Sequence, residues 1–178
     1  IGRIQEQKGQ LQTLEFLNNF KKIENDFKCI FIGGPSGKFG NEYLQELKQT
    51  VKDFNLEENI EFLDNLPQIK IIELLNKAKL LIHTSEFETF GLVAIEANTM
   101  GVPVLTTNNG SLMELIENNR NGYLSKDLVD RNVNRFVKNL LNDNKKFKEI
   151  SLDCLRISKD YDWKVTTSNL NKLYEGLI

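Results

Sequence analysis

The feature that most constrains this chain is an alternation of short apolar runs with longer stretches of helical periodicity. The runs are CIFIGG (29–34), IEFLD (60–64), LLIHTS (80–85) and VPVLTT (102–107), with GYL from 122 as a short edge strand. Between them, residues of about 10–24, 41–54, 68–77 and 91–100 carry apolar positions at helical spacing, and three more helical segments close the chain at about 130–141, 144–159 and 163–177. Strands that are apolar almost throughout, each followed by a helix, predict a parallel sheet covered on both faces, an α/β fold with extra C-terminal helices. In such a sheet ligands bind beyond the carboxyl ends of the strands, so chemistry is expected in the loops GGPSGKFG, DNLPQ, TSEFETFG and TNNGS.

Nothing along the 178 residues reads as a repeat or a linker, and 40% hydrophobic with 27% charged residues suits one globular unit over 1–178. The net charge of −2 and the interspersed Lys, Arg, Asp and Glu give a nucleic-acid partner no electrostatic support. Cys29 and Cys154 form neither a CxxC metal pattern nor a disulfide framework, which favours a reducing cytoplasm. No run is long and apolar enough to span a bilayer. The opening IGRIQEQKG lacks the apolar core of a signal peptide and reads as the end of a strand, as though the unit were excised from a longer protein.

Two motifs invite metal or phosphate chemistry and fall short. In GGPSGKFG only three residues separate Gly33 from Gly37, and Phe39 stands where a phosphate loop needs Ser or Thr for magnesium, so a flexible strand-to-helix turn is expected, with contact to some part of a nucleotide as the alternative. The D-x-D triplet Asp160 to Asp162 lies between two predicted helices, far from the ligand-side loops, and is expected at a helix terminus; no metal is expected.

The stretch SEFETFGLVAIEANTMGVP holds two glutamates eight positions apart. On one helix, eight residues advance two turns plus about 80°, so Glu88 and Glu96 would not share a face. Ser85 and Glu88 have capping-box spacing, which offers Glu88 a purely structural role; Ser111 and Glu114 repeat that spacing. Glu96 has Leu92, Val93, Thr99 and Met100 as helical neighbours and no basic partner among them. A carboxylate among apolar neighbours is costly unless it finds donors, and a sugar or ribose diol would supply them; the alternative is that it points to solvent. The helix start at Phe90, Gly91 and Leu92 presents free N–H groups and the positive end of the helix dipole. Arg3 and Lys8 are cations near a strand end, able to neutralise a diphosphate, with plain exposed surface charge as the alternative. His83, the sole histidine, is expected to be a packing residue.

EFETFGLVAIEANTMGVPVLTT resembles the E-x7-E segment of the retaining glycosyltransferases of the GT-B fold, family 4 type. GRIQEQKG, FIGGP, IEFLD, NGSLMELIENNRNGYL and YDWKVTTSNLNKLYEGL resemble further segments of that family. The resemblance implies a Rossmann-like doubly wound sheet, the C-terminal donor-binding half of a two-domain enzyme. It implies that Glu88 lies near the transferred sugar, that Glu96 binds ribose hydroxyls, that Arg3 and Lys8 bind the diphosphate, and that the backbone from Phe90 through Gly91 and Leu92 to Val93 holds sugar hydroxyls and phosphate.

The function so implied is transfer of a hexose, with retention and without metal or other cofactor, from a UDP, GDP or ADP sugar to a glycan or lipid-linked acceptor. The acceptor would be held by an N-terminal domain that this chain lacks, so the isolated domain is expected to be inactive. The expected setting is polysaccharide or lipopolysaccharide synthesis in the cytoplasm, with peripheral association at the inner face of the membrane left open. A non-catalytic scaffold of the same fold and a nucleotide-sugar 2-epimerase are the alternatives. Thr89, Asp64, Ser111 and Met113 depart from the family's pattern, each at a position that governs local backbone contacts.

Overall fold

The computed structural model describes residues 1–176. Its five strands are β1 (Cys29–Ile32), β2 (Ile60–Leu63), β3 (Leu81–His83), β4 (Val104–Thr107) and β5 (Gly122–Ser125). The helices are α1 (Gln10–Lys21), α2 (Gly40–Asp53), α3 (Gln68–Leu75), α4 (Leu92–Thr99), α5 (Leu112–Leu115), α6 (Arg131–Asn142), α7 (Asn144–Ile157) and α8 (Trp163–Glu175). Every named strand pair is parallel, but the strands form two sheets rather than the one expected, β1 with β2 and β3 with β4 with β5, because β1 and β3 share no ladder among the described residues. Residues 2–4 run beside the end of β1, where the Gly2 N–H donates to Ile32 O and the Ile4 N–H to Gly34 O, each at 2.9 Å. An apolar cavity of about 430 Å³ lies between β1 and β3, lined by Phe16, Leu17 and Phe20 from α1 and by Ile30, Ile32 and Ile82 from the strands.

The expected strands and long helices all form, with ends displaced by one to three residues. The short α5 and two 3-10 segments, Glu6–Lys8 and Ser158–Tyr161, are additions. Residue 177 of the last predicted helix lies outside the described residues. Local chemistry explains the helix starts. Asp130, Asp143 and Asp162 each stand just before a helix, and their side chains accept the first free backbone N–H groups of α6, α7 and α8. The D-x-D triplet thus resolves into a cap, with Asp162 accepting from the Lys164 N–H at 2.7 Å.

Apolar spacing on α1 places Leu14, Leu17 and Phe20 in one apolar cluster with Leu47 and Val51 of α2 and with Phe136, Val137 and Leu140 of α6. A second apolar cluster joins Ala94 and Ala97 of α4 to Val102, Val104, Leu112 and Leu115. The alanines let α4 lie close to β4, so its N-terminus is fixed relative to the strand ends. Within that cluster Asn98 and Asn121 are buried and exchange hydrogen bonds with each other and with the carbonyls of Val102 and Leu115. A buried amide so fully paired specifies one packing of α4 on the sheet. By contrast α8 buries no residue. No helix among the described residues is long and apolar enough to cross a membrane.

Candidate functional site

Two segments distant in sequence are zipped together at the carboxyl end of the sheet. The Gln7 carbonyl accepts from the Glu86 N–H at 3.0 Å and from Ser85 Oγ at 3.2 Å, while Thr84 Oγ1 donates to Gly9 O at 2.6 Å. Gly9 adopts a left-handed φ of 67°, and a Cβ there would strike the Thr84 carbonyl. A glycine is therefore required for the two backbones to meet. The outcome is that Lys8, carried by the Glu6–Lys8 turn, faces the loop after β3.

Glu88 sits at the centre of that meeting. Its Oε2 accepts from Lys8 Nζ at 3.1 Å and lies 3.1 Å from His83 Nε2, and its Oε1 accepts from the Gly91 N–H at 3.3 Å. The backbone is held too: Ser111 donates to the Glu88 carbonyl through its N–H at 3.3 Å, and Gly110 packs so tightly against that carbonyl that no side chain fits. Burial pushes the Glu88 carboxyl upward, but the hydrogen bond and charge of Lys8, then His83 and the Gly91 N–H, outweigh it and leave the group below the ordinary carboxylate range. Glu88 is therefore ionised near neutral pH and can only accept. His83, 8% exposed, is pushed below the usual histidine value, first by burial, with Glu88 opposing.

The capping-box alternative for Glu88 is overturned. Ser85 Oγ donates to the carbonyls of Gln7 and Phe87, and no helix starts at Ser85. The helix begins at Leu92 with Gly91 as its N-cap, φ 81°, packed where a Cβ would lie 2.8 Å from Leu115 and 2.9 Å from Leu112. Ser111 precedes α5 without a side-chain cap, so the second capping box does not close either. The packing role expected of His83 is also incomplete. The ring is buried, yet its Nε2 lies against the Glu88 carboxylate five residues on, a relation that becomes visible only once β3 and the following loop have been folded back.

Along α4 the Gly91 N–H is engaged by Glu88, while the N–H groups of Leu92 and Val93 have no intramolecular acceptor among the described residues. Phe90 and Leu92 are exposed, at 54% and 61%. Glu96 lies on the exposed face one turn after Leu92, and its carboxylate has no protein partner among the described residues. The expectation that Glu96 is an uncompensated carboxylate in apolar surroundings fails, because its side is open to water and costs nothing in the unliganded chain. Arg3 is exposed beside the end of β1, with no acid at ion-pair distance among the described residues.

The glycines of GGPSGKFG have a structural cause. A Cβ at Gly33 would strike the Gly2 carbonyl, and one at Gly34 would meet Asp64 and Asn65 at 2.8 Å. The departures Asp64 and Ser111 are accommodated: Asp64 Oδ1 accepts the Asn65 N–H at 2.7 Å, and Ser111 is recruited to the Glu88 carbonyl. Burial raises both thiols, Cys29 to about 11 and Cys154 to about 12, so neither offers a thiolate at neutral pH. One end of the sheet therefore carries two cations, an ionised and well-anchored carboxylate, open helix N–H groups and a solvated carboxylate, a set of partners for an anionic, hydroxyl-rich ligand.

Residues 1–151 match the family described as glycosyl transferases group 1. The chain is 31% identical over 159 residues to the alpha-1,3/1,6-mannosyltransferase ALG2 of Dictyostelium discoideum, covering 88% of this chain and 38% of that protein. It is 25% identical over 180 residues to a D-inositol 3-phosphate glycosyltransferase of Corynebacterium glutamicum, covering 100% and 43%. The chain thus spans about two fifths of the length of these curated relatives. Among solved structures, Anabaena HepE in complex with UDP and glucose superposes with a TM-score of 0.81 at 26% identity, over 99% of this chain and 46% of that one. The C-terminal domain of the group 1 glycosyl transferase LpcC of Francisella tularensis gives 0.79 at 25% identity, over 92% of this chain and 84% of that domain.

Proposed function

From the premise that the chain belongs to the glycosyl transferases group 1 family, with the α/β fold of a Rossmann-like GT-B domain, we propose that residues 1–178 are the donor-binding domain of a two-domain retaining glycosyltransferase. The single observation that carries this reading is the Lys8–Glu88–Gly91 constellation, which joins an ionised carboxylate to the N-terminus of α4. In this reading Lys8 and Arg3 neutralise the donor diphosphate, the open N–H groups of Leu92 and Val93 add to that field, Glu88 addresses the transferred hexose, and Glu96 accepts from the ribose diol. Phe90 and Leu92 supply apolar cover beside them.

The chemistry asked of such a site is electrostatic. As the sugar–phosphate bond breaks, negative charge gathers on the departing diphosphate and positive charge on the anomeric carbon; fixed cations and helix N–H groups meet the first, and the Glu88 carboxylate stabilises the second. No metal and no cofactor is assigned to this step. The extent of the alignments supports the division of labour: the acceptor, a glycan or lipid-linked chain, would be held by a second, N-terminal domain, without which no transfer is expected. A cytoplasmic setting, with the whole protein resting at the inner face of a membrane, fits two free thiols and is part of the same proposal. The donor base we assign is uracil, because HepE is similar at 26% identity and was crystallised with UDP-glucose.

A thermal-shift panel with UDP, GDP and ADP tests the reading. Ligand at a hundredfold excess over Kd stabilises by about 2.7 kcal/mol, so UDP is expected to raise the melting temperature of the 178-residue chain by several degrees and GDP and ADP by less. No shift with any of the three at millimolar concentration overturns it.

A further inference from the structure

We infer that His83 is a positioning residue for Glu88, holding its carboxylate in place when Lys8 is drawn away to the donor diphosphate. The inference rests on the donor-binding reading for the role of Lys8, and on geometry alone for the role of His83. Both Lys8 Nζ and His83 Nε2 stand 3.1 Å from the same oxygen, Glu88 Oε2. One oxygen with two donors has more support than an unliganded ion pair requires, and the two donors differ in their freedom to leave.

Lys8 is a charge on a four-carbon stem, its side chain 24% exposed at the edge of a one-turn element. It can swing to a neighbouring anion at little cost. His83 cannot follow. Its ring is 8% exposed at the end of β3, where it sits in parallel register with Thr106 of β4, and the next residue is tied by Thr84 Oγ1 to Thr13 at 2.9 Å and to Gly9. Because an ionised carboxylate offers no proton, the contact requires His83 to carry its proton on Nε2. The charged side chains that act on the ring are Glu88 and Lys8, so among the described residues Glu88 is its one acceptor of opposite charge.

The consequence is a division between the two partners of one oxygen. When Lys8 turns to the diphosphate, Glu88 keeps Nε2–H on Oε2 and the Gly91 N–H on Oε1, and neither carboxylate oxygen is released into the site. Without His83 the departure of Lys8 would leave only the Gly91 N–H, a neutral donor at 3.3 Å, and the carboxylate would be free to rotate.

Because His83 is the sole histidine, its ring protons can be read without interference in the 178-residue chain labelled at histidine nitrogen. A slowly exchanging Nε2–H signal is expected in the wild type. It should survive Lys8→Met, vanish in Glu88→Ala, and persist when UDP saturates the wild type. Loss of the signal in Lys8→Met or on UDP addition would show that His83 does not hold Glu88 alone, and retention in Glu88→Ala would show that another group holds the ring; either overturns the inference. The backbone amide spectrum of each variant reports whether it has folded, and a charge-retaining Lys8→Arg provides a second displacement test, in which the signal should also survive. Failure of UDP to bind at all removes the donor-binding reading, while the ligand-free spectra still decide whether His83 anchors Glu88.

Discussion

Glu88 accepts from a lysine, lies against a histidine and takes a backbone N–H, whereas the carboxylate of Glu96, one turn into α4, accepts from nothing among the described residues. The first region is built: its loop is pinned by Gly9, Gly91 and Gly110, its carbonyl is bound by Ser111, and its carboxylate is held below the usual range. The second is an open helix face bearing Leu92, Glu96 and Thr99. The difference teaches that the two carboxylates can serve one ligand by different physics. Glu88 is oriented before the ligand arrives, so little ordering is left to be done on binding. Glu96 is solvated, and in the proposed complex exchanges water for hydroxyls only when a ligand is present.

Variants that separate the two regions should differ steeply in stability. The largest effect is expected at the hinge of the built region. Gly91→Ala places a Cβ 2.8 Å from Leu115 on a residue at φ 81°, and should cost about 2–3 kcal/mol in chemical denaturation. Next comes the ion pair. Lys8→Met should lose about 1–2 kcal/mol at pH 7, above an exposed pair because Lys8 and Glu88 are mostly buried. The pH dependence has a definite sign. Glu88 is depressed in the folded state, so its stabilisation is present above the ordinary carboxylate value and lost as pH falls through the depressed one. Removing Lys8 raises the folded value, and the acid limb of the stability curve should shift to higher pH. Smallest is Glu96→Ala, expected to stay within about 0.5 kcal/mol of wild type, since the carboxylate has no partner to lose among the described residues. A loss at Glu96 as large as that at Lys8 would erase the contrast between the regions.

The strands and most helices were legible because both are written locally, whereas the division of the strands into two sheets was not. Near-continuous apolar runs such as CIFIGG and VPVLTT, short and β-branched, fit buried parallel strands, and Asp130, Asp143 and Asp162 announce their helices. The site was legible in its members and not in its connections. Residue type and position put Lys8, Glu88 and the start of α4 near the strand ends, but the capping-box spacing of Ser85 and Glu88 also suggested a local bond that does not form. The reason is long-range: Ser85 is claimed by the Gln7 carbonyl, 78 residues away in sequence. His83 was placed as packing for the same reason, since five residues of strand and loop must fold back before its ring meets Glu88. Glu96 was misjudged in energy, because its apolar sequence neighbours turn partly outward with it: Leu92 is 61% exposed. Sequence neighbours on a helix predict burial only when the position of the helix on the sheet is known.

The central claim, that Glu96 is silent in the folded chain and engaged only by a ligand diol, is met most directly by calorimetric titration of UDP into the wild type and Glu96→Ala at pH 7, with the melting temperature of each ligand-free chain recorded alongside. A carboxylate accepting from two hydroxyls contributes about 1.5–3 kcal/mol, so the variant should bind UDP at least tenfold more weakly while melting within a degree or two of wild type. Equal affinity in the two chains, or weakened binding accompanied by an equally large loss of stability, would contradict it.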